Sequence, residues 1–532
     1  MRNVNSDYAT THRKVEPAST TPGVSQVGGG AEAWASDVAP KDLTRKTARG
    51  ALVSAGAQAG ALVLRTGSLM VLARLLLKED FGLVNMATVF TGFLGLLRDA
   101  GLGMATVQRV SITRAQTSTL FWVNLAVGGL LALLAAATAP FLTAFYREPR
   151  LFWVTVALGT SFIFNGAAAQ HRAMLQRSMR FTVLAVIDTA SIIFSTAVGI
   201  GLAVAGHGYW ALVAMTISSP TVSLLGVWLA TGWIPGRPQR RSGIRSMLAY
   251  GGAITLNNVI VYLGNNADKV LIGRFWGAEA LGIYGRAYQL ITLPIENLNS
   301  TTGLVGFPAL SRVQNDPARL RTYFLKGYSL FLSLIIPITM GCALFPDDII
   351  LFFLGPRWHE VAGIFRLLAP IMLAYAFCNP FSWLMLAGGR AGRNLKIVMV
   401  VKPVLFLSLV LGLQHGPQGV AAAFSITMAL ATVPILLWAK HGTLITMRDI
   451  LRAAAPSFIS IAIGAAATLA VQSIVDRVEP PVARLAAEST ILFGVYLFSL
   501  LFIMKQKPVY MALLRESGLW PLGSRRTAVE RI

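Results

Sequence analysis

Charge is what this chain most conspicuously lacks. Only 13% of its 532 residues are Asp, Glu, Lys or Arg, against roughly 25% in soluble domains. Hydrophobic residues make up 55% and the mean hydropathy is +0.61, so a water-soluble globular enzyme is excluded. Cysteine is almost absent. Cys342 and Cys378 both lie in apolar stretches and cannot form a disulfide framework, and no Cys/His cluster has metal-ligand spacing. No metal, cofactor or catalytic residue is therefore expected. The six histidines, His12, His171, His207, His359, His415 and His441, are read as scattered through loops and tails without a catalytic role. The chain has no GxxxxGK[ST] motif, so ATP hydrolysis is not the expected driver. Residues 1–49 are rich in Ser, Thr, Pro and Gly and lack the apolar core of a signal peptide; they read as an uncleaved, disordered cytoplasmic tail.

Acidic residues are scarce beside basic ones, 23 against 46, for a formal charge of +23. In a soluble protein this would suggest nucleic acid, but here the charges sit between apolar runs rather than on one face. A bilayer core about 30 Å thick needs about 20 apolar residues per helix. Such windows recur about fourteen times, at 50–73, 81–104, 119–142, 150–169, 182–205, 208–233, 247–272, 282–307, 326–346, 361–387, 397–413, 418–438, 456–475 and 485–504. Assigning the connections to alternate sides puts about 32 Lys and Arg on one side, among them Arg109/Arg114 and Arg172/Arg177/Arg180 in its loops, and about 8 on the other, and cytoplasmic loops are the ones that retain positive charge. Both termini are thus expected in the cytoplasm. Topology accounts for most of the charge, anionic lipid headgroups suffice as its partner, and nucleic acid is not expected to bind.

The chain also aligns with itself at an offset of 200. MVLARLLLKEDFGLVNMA at 70–87 lies over VLIGRFWGAEALGIYGRA at 270–287, so that Arg74/Arg274, Glu79/Glu279, Gly82/Gly282 and Ala87/Ala287 coincide. Both stretches join the first two helices of a six-helix set in the same orientation. Parallel repeats of this kind are a transporter architecture with the substrate site at the repeat interface. The expected fold is an all-α polytopic membrane protein of two parallel six-helix lobes around a central cavity. Its expected parts are the tail 1–49, a lobe at 50–233, a basic cytoplasmic linker at 234–246, a lobe at 247–438, an additional helix pair at 439–504 and a basic cytoplasmic tail at 505–532.

Polar stripes support a shared interior. Ser54, Gln58, Arg65 and Ser68 fall on one face of the first helix. Asn257/Asn258, Tyr262, Asn265/Asn266 and Lys269 do so on the seventh, with Gln58 over Asn258 and Arg65 over Asn265 at the same offset. The second helix carries Asn85, Thr88, Arg98 and Asp99, and the eighth Arg286, Gln289, Thr292, Glu296 and Asn299. The uncharged members serve equally well as interhelical glue, at about 0.6 kcal/mol each. Charges are costlier, at least about 2.5–3.5 kcal/mol at mid-bilayer. Six cations lie in or near spans: Arg65, Arg98, Lys269, Arg286, Arg366 and Lys402. The corresponding acids are Asp99, Asp188, Asp268 and Glu296. A cationic interior is what a desolvated phosphate crossing the membrane requires. Arg65 and Arg286 are the leading candidates, with an Arg286–Glu296 salt bridge as the structural alternative. End-of-helix snorkelling is the first expectation for Arg98, Arg366 and Lys402, and Arg74 and Arg274 read as anchors of interfacial turns.

ARLLLKEDFGLVNMA, LLRDAGLGMATVQR and NNADKVLIGRFWGAEALGIYGRAYQLITLPIENLNSTTGLVGFPALSRVQND resemble the polysaccharide transporter (Wzx-type flippase) branch of the multidrug/oligosaccharidyl-lipid/polysaccharide exporter superfamily, over about residues 50–440. Lys78 stands where the family often has proline. The resemblance implies a two-lobed helical V whose cavity opens alternately to either side of the bacterial inner membrane. The implied load is an oligosaccharide repeat unit on undecaprenyl pyrophosphate, for exopolysaccharide, capsule or O-antigen synthesis, with a polysaccharide polymerase and export machinery as further partners. The implied cavity residues, matched by helix, are Arg65, Arg98, Lys269 and Arg286; the polar stripes add Gln58, Asn258, Asn265 and Gln289. Asp188, Asp268 and Glu296 are the candidates for coupling to an ion. Two other readings remain: a drug/cation antiporter of the same superfamily, which an acidic interior would favour, and a membrane glycosyl polymerase or ligase. The latter would need a large outer loop, but the longest, Pro346 to Val361, shows no catalytic arrangement.

Overall fold

The computed structural model describes residues 40–98, 113–238, 245–475, 479–508 and 510. Asp99, Arg109 and most of both tails lie outside these residues, as do the side chains of Ser54, Asn257 and Asn258. Among the described residues there is no strand. The first half holds α1 (Pro40–Leu75), α2 (Lys78–Arg98), α3 (Arg114–Tyr146), α4 (Leu151–Gly159), α5 (Ser161–Arg177), α6 (Phe181–Val204) and α7 (Tyr209–Thr231). The second holds α8 (Arg245–Arg312), α9 (Pro317–Leu344), the short α10 (Pro346–Phe353), α11 (His359–Ala387), α12 (Ala391–Gly412) and α13 (Gly416–Lys440). Then come α14 (Met447–Val475) and α15 (Pro481–Phe498), with one π-turn to Ile503.

Eleven stretches among the described residues are long and apolar enough to cross a membrane, and one of them, Ala391–Lys440, contains both α12 and α13. The chain is a multi-pass membrane protein. Within the described residues every window expected from hydropathy falls on a helix, the end of 81–104 lying outside them, but several limits differ. α1 begins at Pro40 rather than 50, so part of the expected tail is helical. Window 150–169 is two helices meeting at Thr160, the second running on to Arg177. Windows 247–272 and 282–307 are the arms of α8, which turns at Gly277 (φ 81°, ψ −174°). Glycine adopts that conformation without the Cβ clash other residues meet. Hydropathy registers only the slab of hydrocarbon, whereas helical hydrogen bonding continues into polar flanks until a cap ends it. Local chemistry supplies those caps. Thr113 and Gln116 form a reciprocal capping box at the start of α3, and Asp316 accepts from the Ala318 and Arg319 amides before Pro317 opens α9.

The two repeats meet at their aligned glycines. A Cβ on Gly82 would stand 1.7 Å from the Ala278 carbonyl oxygen, and one on Gly282 would stand 2.0 Å from that of Lys78. Ala278 and Lys78 are themselves equivalent at the 200-residue offset, so the contact is reciprocal. Duplicated halves meeting about a two-fold axis produce this pattern. Around the crossing lies a continuous core from both halves, including Leu83, Met86 and Ala87 of α2 and Leu281, Tyr284 and Ala287 of α8. The α14–α15 pair docks on the flank of the second half. Asp449 takes a two-pronged bond from Arg321 (2.6 and 3.1 Å), Arg484 bonds Asp348, and the Tyr496 hydroxyl donates to the Ser333 carbonyl at 2.8 Å. Large side chains such as Leu133, Leu229, Leu411 and Leu430 are exposed, as lipid-facing helices require.

Gly82→Ala places a methyl against backbone, so the strain is at or above the roughly 1–3 kcal/mol of an overpacked core. Thermal unfolding in detergent is expected to show a clearly lowered midpoint. Gly129→Ala, which meets nothing within 4 Å, serves as the comparison and leaves the midpoint unchanged or raises it.

Candidate functional site

Between the halves lies a cavity of about 1120 Å³, walled by α1, α2, α5, α6 and α7 on one side and by both arms of α8 on the other. It exceeds the roughly 300–1,000 Å³ of ordinary small-molecule pockets. Helical spacing delivers its polar groups. Gln58 and Arg65, seven apart, project from α1; Asn85 and Thr88 from α2; Lys269 from the first arm of α8; and Arg286, Gln289 and Glu296 from the second.

Three of the cations here have no carboxylate within ion-pair distance among the described residues. Arg65 is exposed to the cavity. Lys269 Nζ donates to Asn266 Oδ1 at 2.9 Å and lies 4.7 Å above the Tyr288 ring. The Arg286 guanidinium stacks on Phe81 at 3.9 Å and bonds Gln289 Oε1. The expected alternative for Arg286, a salt bridge to Glu296, is not formed. Arg172 is different: its two terminal nitrogens grip both oxygens of Asp188 at 2.7 and 2.5 Å, and one also donates to Ser223 at 3.1 Å. The lining therefore holds four cations against two carboxylates, Asp188 and Glu296.

The structure corrects several expectations. Arg98 does not line the cavity. Asn265 faces the second half, where it accepts a bond from Lys402. Lys402 consequently points into the bundle instead of snorkelling, its methylenes filling the space a Cβ on Gly264 would need. Asp268 is also outside the lining, buried at 2% exposure; one oxygen accepts the Tyr284 hydroxyl at 2.7 Å, and the other has no partner among the described residues. Asp188 is tied up by Arg172. Arg366, 3.3 Å from Asp347, sits at an exposed helix face, and Arg74 donates to the Phe352 carbonyl at 3.1 Å. His171 is no loop residue: it is buried in α5 among Phe121, Trp228 and Trp233 and bonded to Thr231. Sequence reasoning missed Arg172 by placing it in a cytoplasmic loop. Its signal was the spacing Asn165, Arg172, Gln176, the same one-face pattern recognised in α1.

One end of the cavity is closed by contacts between the halves. Lys78 pairs with Glu360 at 2.9 Å, the Trp358 indole donates to the Ala73 carbonyl at 2.8 Å, and Trp358 meets Phe81 edge-on at 5.4 Å. Phe81 is thus both floor of the cavity and seat of Arg286. From this floor the lining extends along α5 and α6 to Gln176 and Phe181, at the end of the bundle carrying the cation-rich connections.

Residues 71–363 match the family model described as "Polysaccharide biosynthesis protein". The chain belongs to this family. It is 31% identical over 307 residues to the teichuronic acid biosynthesis protein TuaB of Bacillus subtilis, a match spanning 57% of this chain and 63% of TuaB. It is 26% identical over 400 residues to the lipopolysaccharide biosynthesis protein WzxC of Escherichia coli, covering 74% and 80% of the two chains. The fold matches that of the lipid II flippase MurJ in an inward closed conformation, with a TM-score of 0.67 and 15% identity, over 88% of this chain and 99% of that one. The family expected from the quoted motifs is therefore the family found, and the polytopic all-α transporter fold agrees with it.

The Arg172–Asp188 fork predicts strong non-additivity. Arg172→Ala and Asp188→Ala each leave an unpaired charge in the cavity wall, so the double substitution is expected to be less destabilising than the two singles summed. The expected coupling is about 1 kcal/mol or more by a thermal-unfolding double-mutant cycle.

Proposed function

We propose that this protein translocates oligosaccharide repeat units linked to undecaprenyl pyrophosphate from the cytoplasmic to the outer leaflet of the bacterial inner membrane. It does so by alternating access and without making or breaking covalent bonds. The observation that carries this reading is the set Arg65, Lys269 and Arg286, cations without carboxylate partners among the described residues, in a large cavity walled by both duplicated halves. A sugar-pyrophosphate head cannot enter hydrocarbon unaided, since each unsatisfied polar group costs several kcal/mol there. Unpaired cations in a hydrated cavity supply the missing counter-charge, and Gln58 and Gln289 add neutral donors. The polyprenyl tail stays in lipid, trailing between the halves. The names of TuaB, a teichuronic acid biosynthesis protein, and WzxC, a lipopolysaccharide biosynthesis protein, support the same class of load. A cation/drug antiporter calls for an acidic cavity, opposite to the one present.

The floor gives the transport step a physical form. A phosphate that draws Arg286 off Phe81 removes the support on which Phe81 meets Trp358, and Trp358 is one of the ties joining the halves. Rocking then separates Lys78 from Glu360 and opens the far side. Glu296, in the cavity, and Asp268, buried behind it, are the groups available for ion coupling. In this reading the halves 50–233 and 247–438 move against each other. An even count of fourteen crossings would put both termini and the linker 234–246 on the same side, which their excess of Lys and Arg marks as the cytoplasm, leaving 439–504 as a flanking pair.

Two experiments test this. Depleting the protein, or replacing it with Arg286→Ala, is expected to make completed lipid-linked repeat units accumulate on the inner leaflet. Loss of a charge-assisted bond worth about 1.5–3 kcal/mol implies a drop in export of about tenfold or more. Unchanged display of repeat units outside would overturn the proposal. Separately, cysteines at positions 78 and 360 in a cysteine-free background, joined by a short bifunctional thiol reagent, are expected to stop transport, with recovery on reductive cleavage of the bridge. Undiminished transport with the bridge closed would refute the rocking step.

A further inference from the structure

The cavity has two chemically different walls. Arg65, Lys269 and Arg286, the cations with no carboxylate partner among the described residues, come from α1 and α8. The wall built by α5, α6 and α7 has one cation, Arg172, and that charge is neutralised by Asp188. Around the pair stand hydroxyl and amide groups, among them Asn165, Thr189, Ser219 and Ser223. This wall thus offers many hydrogen-bond donors and acceptors and no net charge.

A phosphate has no reason to settle there. Its two charges are better met by the unpaired cations opposite, whereas Arg172 would have to give up Asp188 to receive it. A neutral polyhydroxylated molecule fits the wall directly. Arg172 and Asp188 face each other as a planar fork, and both are partly open to the cavity, with side-chain exposures of 34% and 43%. Held this way, the guanidinium keeps spare donors and the carboxylate keeps spare acceptor positions side by side. Adjacent sugar hydroxyls each give one hydrogen and accept another, so they can bridge such a pair without disturbing its charge balance. The serine and threonine hydroxyls can likewise reorient to donate or accept. Lining residues run from Phe181 to Ser195 on α6, roughly 20 Å of helix at 1.5 Å per residue, long enough for an extended chain rather than one ring.

We propose that the α5–α7 wall, organised on the Arg172–Asp188–Ser223 cluster, is a saccharide subsite. It binds the uncharged sugars of the load while the α1/α8 cations hold its pyrophosphate. The proposal rests on the flippase reading above and adds to it where specificity resides: substitutions on α5–α7 alter which glycan is carried, and substitutions on α1 and α8 alter affinity for any carrier.

The test compares two probes on the full chain in lipid nanodiscs: undecaprenyl pyrophosphate without sugar, and the same carrier bearing an oligosaccharide of neutral hexoses. The variants are Asn165→Ala/Ser219→Ala/Ser223→Ala and, independently, Arg172→Lys, which keeps the charge beside Asp188 but loses the fork; thermal unfolding verifies that each is folded. Both are expected to weaken binding of the glycosylated carrier at least fivefold while changing the sugar-free carrier less than twofold. Arg286→Ala is expected to weaken both probes in equal proportion. Wall variants that weaken both probes alike, or neither, overturn the subsite. If the unaltered protein binds neither probe, the flippase reading falls first; binding that is lost only with Arg286→Ala leaves that reading standing and removes the subsite alone. Should Arg172→Lys fail to fold, the triple hydroxyl and amide variant decides the question.

Discussion

A guanidinium or ammonium group held in hydrocarbon without a counter-charge costs at least about 2.5–3.5 kcal/mol, and much of this structure follows from that penalty. Arg65, Lys269 and Arg286, without carboxylate partners among the described residues, face a cavity large enough to hold water rather than hydrocarbon. The chamber in turn requires α1, α5, α6 and α7 to stand away from the second half over most of their length, while α2 packs along α8 from Gly82 to Gly92. At one end, where α2 crosses the turn of α8, the halves close over the chamber. Other charges inside the helical region are held by partners, as Arg172 is by Asp188 in the cavity wall and Lys402 by Asn265 within the bundle.

The duplicated halves solve the problem of bringing such cations together. Each repeat supplies a helix pair with a glycine at the crossing, and the two glycines admit each other's carbonyls at distances no side chain would allow. The second arm of α8 is thereby set beside α2, which puts Arg286 over Phe81. Symmetry ends there. Gly285 lies opposite its own counterpart Asn85, so the cavity receives an amide from one half where the other supplies only backbone.

The architecture was legible because a bilayer imposes a length and a polarity on each crossing, and both are written in linear sequence. The repeat was legible through Gly82 and Gly282, whose identity the packing enforces. Cavity residues were legible where an apolar helix carried an isolated polar stripe, as with Gln58 and Arg65. They were illegible where polarity itself pushed the residue out of the assigned span: Arg172 was read as a loop cation because the cavity-facing end of α5 is as hydrophilic as a connection. Asp188 was a free acid in sequence only because its partner had been placed elsewhere. Lys402 was misread for another reason. The hydropathy window begins at 397, which puts Lys402 near a helix end, whereas it sits midway along α12 (Ala391–Gly412); it turns inward because Gly264, on a different helix, leaves the space.

The tie between Trp358 and the Ala73 carbonyl joins residues 285 apart, and the Lys78–Glu360 pair spans 282. A chain emerging from the ribosome would thus carry α1 and α2 through membrane insertion well before the groups that close the floor have been synthesised. During that interval Arg65 has no finished vestibule to face. Biogenesis must either shelter these early helices or leave them near the aqueous border until the later half arrives, so a prematurely terminated product lacking α11 would be a poor substrate for stable insertion and a ready target for quality-control proteolysis.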